Sequence, residues 1–180
     1  MAKLVSATYG DALFSLACEE HKEDAFYDEV TALQQILKEN PDFSALMNHP
    51  KVSKEEKEKV LEAVFSGRVD AELTGFLLLL LKKDRYADLD AILTHFMAKV
   101  KEYKGIGVGY VRSAIELNAA QKQQIEAKLL ETTSYHKMEM HYTVEPALIG
   151  GLVIRIGDHV VDSSIRTKLD GLKRELYKVS

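Results

Sequence analysis

Three features of this sequence predict an N-terminal all-α six-helix bundle followed by a small α+β domain. Apolar residues recur at three- and four-residue spacings as far as Lys104, and a glycine-rich run, Gly105-Ile106-Gly107-Val108-Gly109, then breaks that period. Beyond it, apolar and polar residues alternate with a period of two, broken by two further helical segments. The bundle is expected over residues 1–104 and the second domain, in the order β-α-β-β-β-α, over 105–180.

Tyr9, Leu13, Leu16 and Ala17, with Ala12 beside them, form the apolar face of a first helix that ends in the charged run Glu19 to Asp24. Phe26, Val30, Leu33 and Leu37 carry the second helix, which stops at Asn40-Pro41 because the residue before proline is driven out of the α region. Phe43, Leu46 and Met47 form a short third helix closed by Asn48-His49-Pro50. Ser53 and Glu56 have the spacing of a capping box, which opens a fourth helix with Val60, Leu61, Val64 and Phe65 inward and Gly67 at its end. The fifth helix, from about Asp70, is apolar all round from Phe76 to Leu81, so it must be surrounded or must keep one face for a partner. Leu89, Ile92, Leu93, Phe96, Val100 and Tyr103 make the sixth.

In the second domain a strand is expected from Val108 to about Ile115, and Asn118 with Gln121 caps a helix reaching about Thr132, with Ile125 and Leu129 inward. Met138, Met140, Tyr142 and Val144 alternate with polar residues as one buried strand face. Leu152, Ile154 and Ile156 run into Gly157-Asp158, a two-residue type II′ turn in which glycine supplies the positive φ, and Val160-Val161 return. Ile165, Leu169, Leu172 and Leu176, spaced four, three and four, lie on one face of a last helix.

The chain has 180 residues, 46% hydrophobic and 29% charged, as in an ordinary globular protein. No apolar run approaches the roughly 18 residues of a membrane span, and the start, MAKLVSATYGDALF, has neither a secretory core nor an Arg/Ser-rich transit bias. The single cysteine, Cys18, excludes an internal disulfide and fits a small buried residue of the first helix. A net charge of −4 argues against nucleic acid as a partner. The charge is unevenly shared: 14 Lys+Arg against 19 Asp+Glu up to Lys104, and 10 against 9 beyond it. That asymmetry suits two separate binding modules.

Candidate chemistry is sparse. Gly105 to Gly109 fails as a dinucleotide fingerprint, because Tyr110 stands where a glycine is needed and a helix precedes instead of a strand. It fails as an RNA-recognition strand for want of stacking aromatics and a basic face. His136, His141 and His159 lack the accompanying cysteine or convergent carboxylates of a metal site, and His21, His49 and His95 are scattered. Asp158 and Asp162 form a paired-carboxylate candidate, but turn and N-cap roles explain them. No catalytic, cofactor or metal residues are assigned, and no small-molecule substrate. A two-ended adaptor, an enzyme with a dispersed site and a membrane-surface protein remain as function classes; the last would require a cationic polar face, which the acidic end of the first helix does not offer.

Read from Met138, the pattern Met138-x-Met140, three residues, Val144-Glu145, two residues, Leu148-x-Gly150-Gly151-Leu152-x-Ile154-Arg155-x-Gly157 resembles the signature of the delta subunits of F-type ATP synthases, relatives of the mitochondrial oligomycin sensitivity-conferring protein. Tyr9-x-x-Ala12-Leu13-x-x-x-Ala17 resembles that family's first helix. The resemblance implies a non-catalytic stator subunit on the cytoplasmic face of a bacterial plasma membrane, peripheral, tying the catalytic head to the peripheral stalk so that ion-driven rotation is coupled to ATP synthesis. An adaptor unrelated to ATP synthase is the alternative. The family's bundle receives an N-terminal helix of an alpha subunit between its first and fifth helices, which implies Tyr9, Ala12, Leu13, Leu16, Gly75, Phe76, Leu79 and Leu80 here. The second domain meets the C-terminal ends of the b subunits, with Gly150, Gly151, Arg155, Gly157, Asp158 and Arg166 in or beside the signature. Arg155 would pair with an acidic stalk helix or with Asp162 across the hairpin. The coupling ion, H⁺ or Na⁺, is chosen elsewhere.

Overall fold

The computed structural model describes residues 2–178, which divide into two compact units, the first ending at Val100 and the second beginning at Lys101. The first holds α1 (Ala2–Glu19), α2 (Glu23–Glu39), α3 (Pro41–Asn48), α4 (Lys54–Phe65), α5 (Ala71–Lys82) and α6 (Leu89–Tyr103), whose last turn belongs to the second unit. A single apolar cluster joins the helices, with Leu13, Phe26, Val30, Leu61, Leu73, Leu80, Ile92, Leu93 and Phe96 fully buried. Every one of these has an inward position by periodicity except Leu73 and Leu80, both on the fifth helix, where an undivided leucine run leaves the inner face open.

Local chemistry sets the helix ends. The capping box of α4 forms: Glu56 N–H donates to Ser53 Oγ at 3.2 Å, and Ser53 N–H donates to Glu56 Oε2 at 3.1 Å. Gly67, at φ +73, follows the helix as expected. Two ends had no glycine to announce them. His21 (φ 54) closes α1, with Lys22 N–H donating to the Ala17 carbonyl and His21 N–H to that of Cys18. Asp84 (φ 55) closes α5 through Arg85 N–H to Leu80 and its own N–H to Leu81. Both are Schellman motifs built on a non-glycine residue, which satisfies the last carbonyls at some backbone cost. Cys18 is half-buried and not in the core.

The second unit contains β1 (Ile106–Ser113), α7 (Ala119–Thr132), β2 (Lys137–Val144), β3 (Leu152–Ile156), β4 (His159–Asp162) and α8 (Ile165–Lys178). The strands form one mixed sheet in the order β2-β1-β3-β4: β1 is parallel to β2 and antiparallel to β3, and β3 is antiparallel to β4. The first strand begins at Ile106, two residues earlier than expected, so the glycine run is no flexible entry. Gly107 and Gly109 are buried in the central strand, where a Cβ would lie 2.6 Å and 2.8 Å from the sulfurs of Met138 and Met140. Here glycine makes room for methionine. Gly157 has φ +54 whereas Asp158 has no positive φ, as a type II′ turn requires.

Helix α7 is capped as expected, Gln121 N–H donating to Asn118 Oδ1 at 2.8 Å. It lies against the sheet face of Tyr142, whose hydroxyl donates to the Lys122 carbonyl. Ile125 and Leu129 are only half-buried, and an open groove of about 320 Å³ separates them from Leu152 and Ile154 of β3.

Candidate partner-docking surfaces

In the first unit, Lys22 lies just beyond the end of α1 and pairs with two acids at the start of α5, Asp70 at 3.0 Å and Glu72 at 3.7 Å. Asp70 is the N-cap of α5, accepting from Glu72 N–H at 3.1 Å, and its own N–H donates to Glu29. The C-terminal end of α1 and the N-terminal end of α5 are thereby held together.

The eight expected contact residues on these helices separate by depth. Leu13 and Leu80 are 0% exposed and Phe76 is 7% exposed, so they belong to the core and offer no contact surface. The reason is helical period: Leu73, Phe76, Leu77, Leu80 and Leu81 line the inner face of α5, which leaves Gly75 and Leu79, four residues apart, on the outer one. Leu79 is 43% exposed, and a Cβ on Gly75 would meet nothing within 4 Å. On α1, Ala12 is exposed while Tyr9 and Leu16 are half-buried against the core. The accessible set is therefore Ala12, Gly75 and Leu79, with Tyr9 and Leu16 at its edge. Leu79 is thus the part of the all-round apolar stretch Phe76 to Leu81 that the bundle leaves most exposed.

In the second unit the signature residues have work inside the chain. The Gly150 carbonyl accepts from Ile165 N–H at 2.9 Å, and a Cβ on Gly150 would lie 2.6 Å from Ile165 Cδ1. Gly151 has φ +75, and a Cβ there would strike the Ser163 carbonyl oxygen. The Gly-Gly pair thus seats the start of α8 against the beginning of β3. Arg155 donates from Nε to the Gly157 carbonyl at 3.1 Å, and its register partner on β4 is Val160. Pairing of Arg155 with Asp162 does not form. Asp162 instead accepts from Ser164 N–H at 2.8 Å and from the Thr167 hydroxyl at 2.8 Å, and buried Ser164 caps α8 by accepting from Thr167 N–H. Those hydrogen bonds, the backbone one first, hold the Asp162 carboxyl below its usual range. Asp158 and Arg166 are exposed.

The face of the sheet opposite α7 carries Tyr110 stacked on His141, ring centroids 5.0 Å apart, and an Arg112–Glu145 pair at 2.9 Å. Beside them Glu139 accepts from Lys101 at 2.6 Å, and that bond dominates in lowering its pKa, against the opposing effect of burial. His159 pairs with Ile156 and so lies on the other face from His141. Among the described residues no three His, Cys, Asp or Glu side chains gather as a metal site. His95 is held 2.9 Å from Asp11 across α6 and α1.

The sequence reading drew only Arg166 from the last helix. Yet Ile165, Leu169, Leu172 and Leu176 are 43%, 51%, 57% and 72% exposed, and residues 165–177 are exposed throughout, so α8 stands uncovered with its apolar stripe in solvent. Its spacing was visible in the sequence; its exposure was not. No helix is long and apolar enough to cross a membrane among the described residues.

Comparison with known proteins gives consistent results. Residues 5–176 match the family model for the ATP synthase delta (OSCP) subunit. The ATP synthase subunit delta of Lachnoclostridium phytofermentans is 49% identical over 99% of this chain and 98% of its own length. That of Synechocystis is 32% identical over 92% and 89% respectively. In fold, the chain is similar to one in a cryo-EM structure of the Toxoplasma gondii mitochondrial ATP synthase hexamer, with TM-score 0.77, 21% identity and coverage of 96% and 97% of the two chains. With nearly the whole chain matched, in sequence and in fold, this protein belongs to the ATP synthase delta (OSCP) family.

Proposed function

We propose that this chain is the non-catalytic stator subunit of an F-type ATP synthase. It ties the catalytic head to the peripheral stalk, so that ion-driven rotation of the rotor is coupled to ATP synthesis. The first unit holds the N-terminal helix of an alpha subunit and the second holds the C-terminal ends of the b subunits. In this reading it is peripheral, on the cytoplasmic face of a bacterial plasma membrane. Family membership over residues 5–176 carries the assignment and leaves an adaptor unrelated to ATP synthase without support.

The chemistry of the surfaces agrees with a purely mechanical role. A tie needs apolar helix faces that a partner can cover. The outer face of α5 supplies a small residue and a leucine, Gly75 and Leu79, so a partner helix can approach closely and still bury apolar area. Ala12 adds a second small residue on α1.

The test is calorimetric titration of the whole chain with an alpha-subunit N-terminal peptide of about twenty residues, some five to six helical turns. One-site binding at about 1 µM or tighter, roughly −8 kcal/mol, is expected. A folded protein that does not bind would refute the head-binding role.

A further inference from the structure

We infer that the outward stripe of α8 is one half of a heptad seam, and that its occupant is a single partner helix with apolar a and d positions and acidic flanks. The inference rests on the stalk-binding reading above and says where and how that contact is made.

Ile165, Leu169, Leu172 and Leu176 are spaced four, three and four, which is the d-a-d-a order of a coiled coil and narrower than the face of a helix buried in a core. The stripe is exposed: Leu169 by 51% and Leu172 by 57%. Apolar surface continues at its start, where Ile149, 62% exposed and held at φ +67, adjoins the glycine against which Ile165 packs. A β-branched residue at positive φ is strained, and here the turn that Ile149 closes by donating to the Pro146 carbonyl holds it there. The helix has 14 residues and includes Gly171, so its intrinsic stability is marginal and a covering partner would fix it.

Charge selects the occupant. The positions flanking the seam are Arg166, Lys168, Lys173 and Glu175, three cations and one acid. A parallel second copy would set Lys168 against Lys173, and an antiparallel one would set Arg166 against Lys173 while pairing Lys168 with Glu175, so self-pairing is opposed in the first case and gains nothing net from charge in the second. A helix with Glu or Asp at its own flanking positions is complementary at most of these contacts. An anionic membrane is the poorer fit. A two-position stripe is too narrow to sink a helix into lipid, and Glu175 flanks it.

The experiment uses the full chain and two probes: a three-heptad peptide with Leu at a and d and Glu at e and g, and the soluble part of the b subunit. The Glu peptide is expected to bind at least tenfold more tightly than the same peptide with Lys at e and g, with the difference shrinking in high salt. Leu172→Asp, at an exposed position, should weaken both probes more than tenfold, and Arg166→Glu with Lys173→Glu should reverse the peptide preference. Equal binding of the two peptides, or binding of neither, overturns the inference, as does preference for phosphatidylglycerol vesicles or a concentration-dependent dimer. If the b subunit binds and Leu172→Asp leaves it unchanged, the seam is wrong while the stalk reading stands. If the b subunit does not bind at all, the stalk reading fails and the peptide pair still decides the seam.

Discussion

Leu79 and Leu13 both lie in the region expected to hold the alpha-subunit helix, but only Leu79 reaches solvent, and the two should respond to truncation in opposite ways. Leu79→Ala leaves the bundle folded. If the partner covers the remaining 43% of a side chain whose full burial is worth about 1.5–3 kcal/mol, the loss in binding is about 0.6–1.3 kcal/mol. That is roughly three- to tenfold in Kd. Leu13→Ala, at 0% exposure, instead leaves a cavity and should lower stability by about 2–5 kcal/mol. The assay pairs calorimetric titration of the alpha peptide with urea unfolding of each variant. An unchanged Kd for Leu79→Ala would show that the outer face of α5 is not the contact. A Leu13→Ala variant with wild-type stability would contradict the packing itself.

Two glycines should give opposite signs in the same unfolding assay. Gly75→Ala, in an open helical position, is expected to add up to about 1 kcal/mol while weakening the alpha peptide, whereas Gly151→Ala, at φ +75 against the Ser163 carbonyl, should cost at least about 2 kcal/mol. Asp162 has a depressed folded pKa, so its contribution is present above the unfolded value near 3.8 and is lost as pH falls through the lower folded one. Asp162→Asn should therefore reduce stability at neutral pH and flatten its decline in acid, measured by urea unfolding of the whole chain at a series of pH values. Tyr86 is buried with its hydroxyl lacking a partner among the described residues, and burial pushes its pKa far above the ordinary value. Tyr86→Phe should raise stability by about 1 kcal/mol in thermal unfolding, and a destabilised variant would mean the hydroxyl is satisfied.

What the sequence determined by itself was local. Ser53 with Glu56 and Asn118 with Gln121 formed the capping boxes their spacing required, and Gly157 took the positive φ of its turn, because each depends on atoms within four residues. Helical periodicity identified most of the bundle core for the same reason, and the signature around Gly150-Gly151 identified the family. Tertiary structure decided everything that depended on distant neighbours. The undivided run Leu77 to Leu81 reads alike from every side, so only packing could turn Leu80 inward and leave Leu79 in solvent. Gly105 to Gly109 looked like a link until β2 was laid beside it, when the methionine sulfurs gave Gly107 and Gly109 a steric purpose. The hairpin paired with β1 and not with β2, its predecessor in sequence, which no local signal announced. The outward face of α8 is the sharpest case. Periodicity fixes which residues share a face of a helix, but whether that face is covered follows from how the rest of the chain packs.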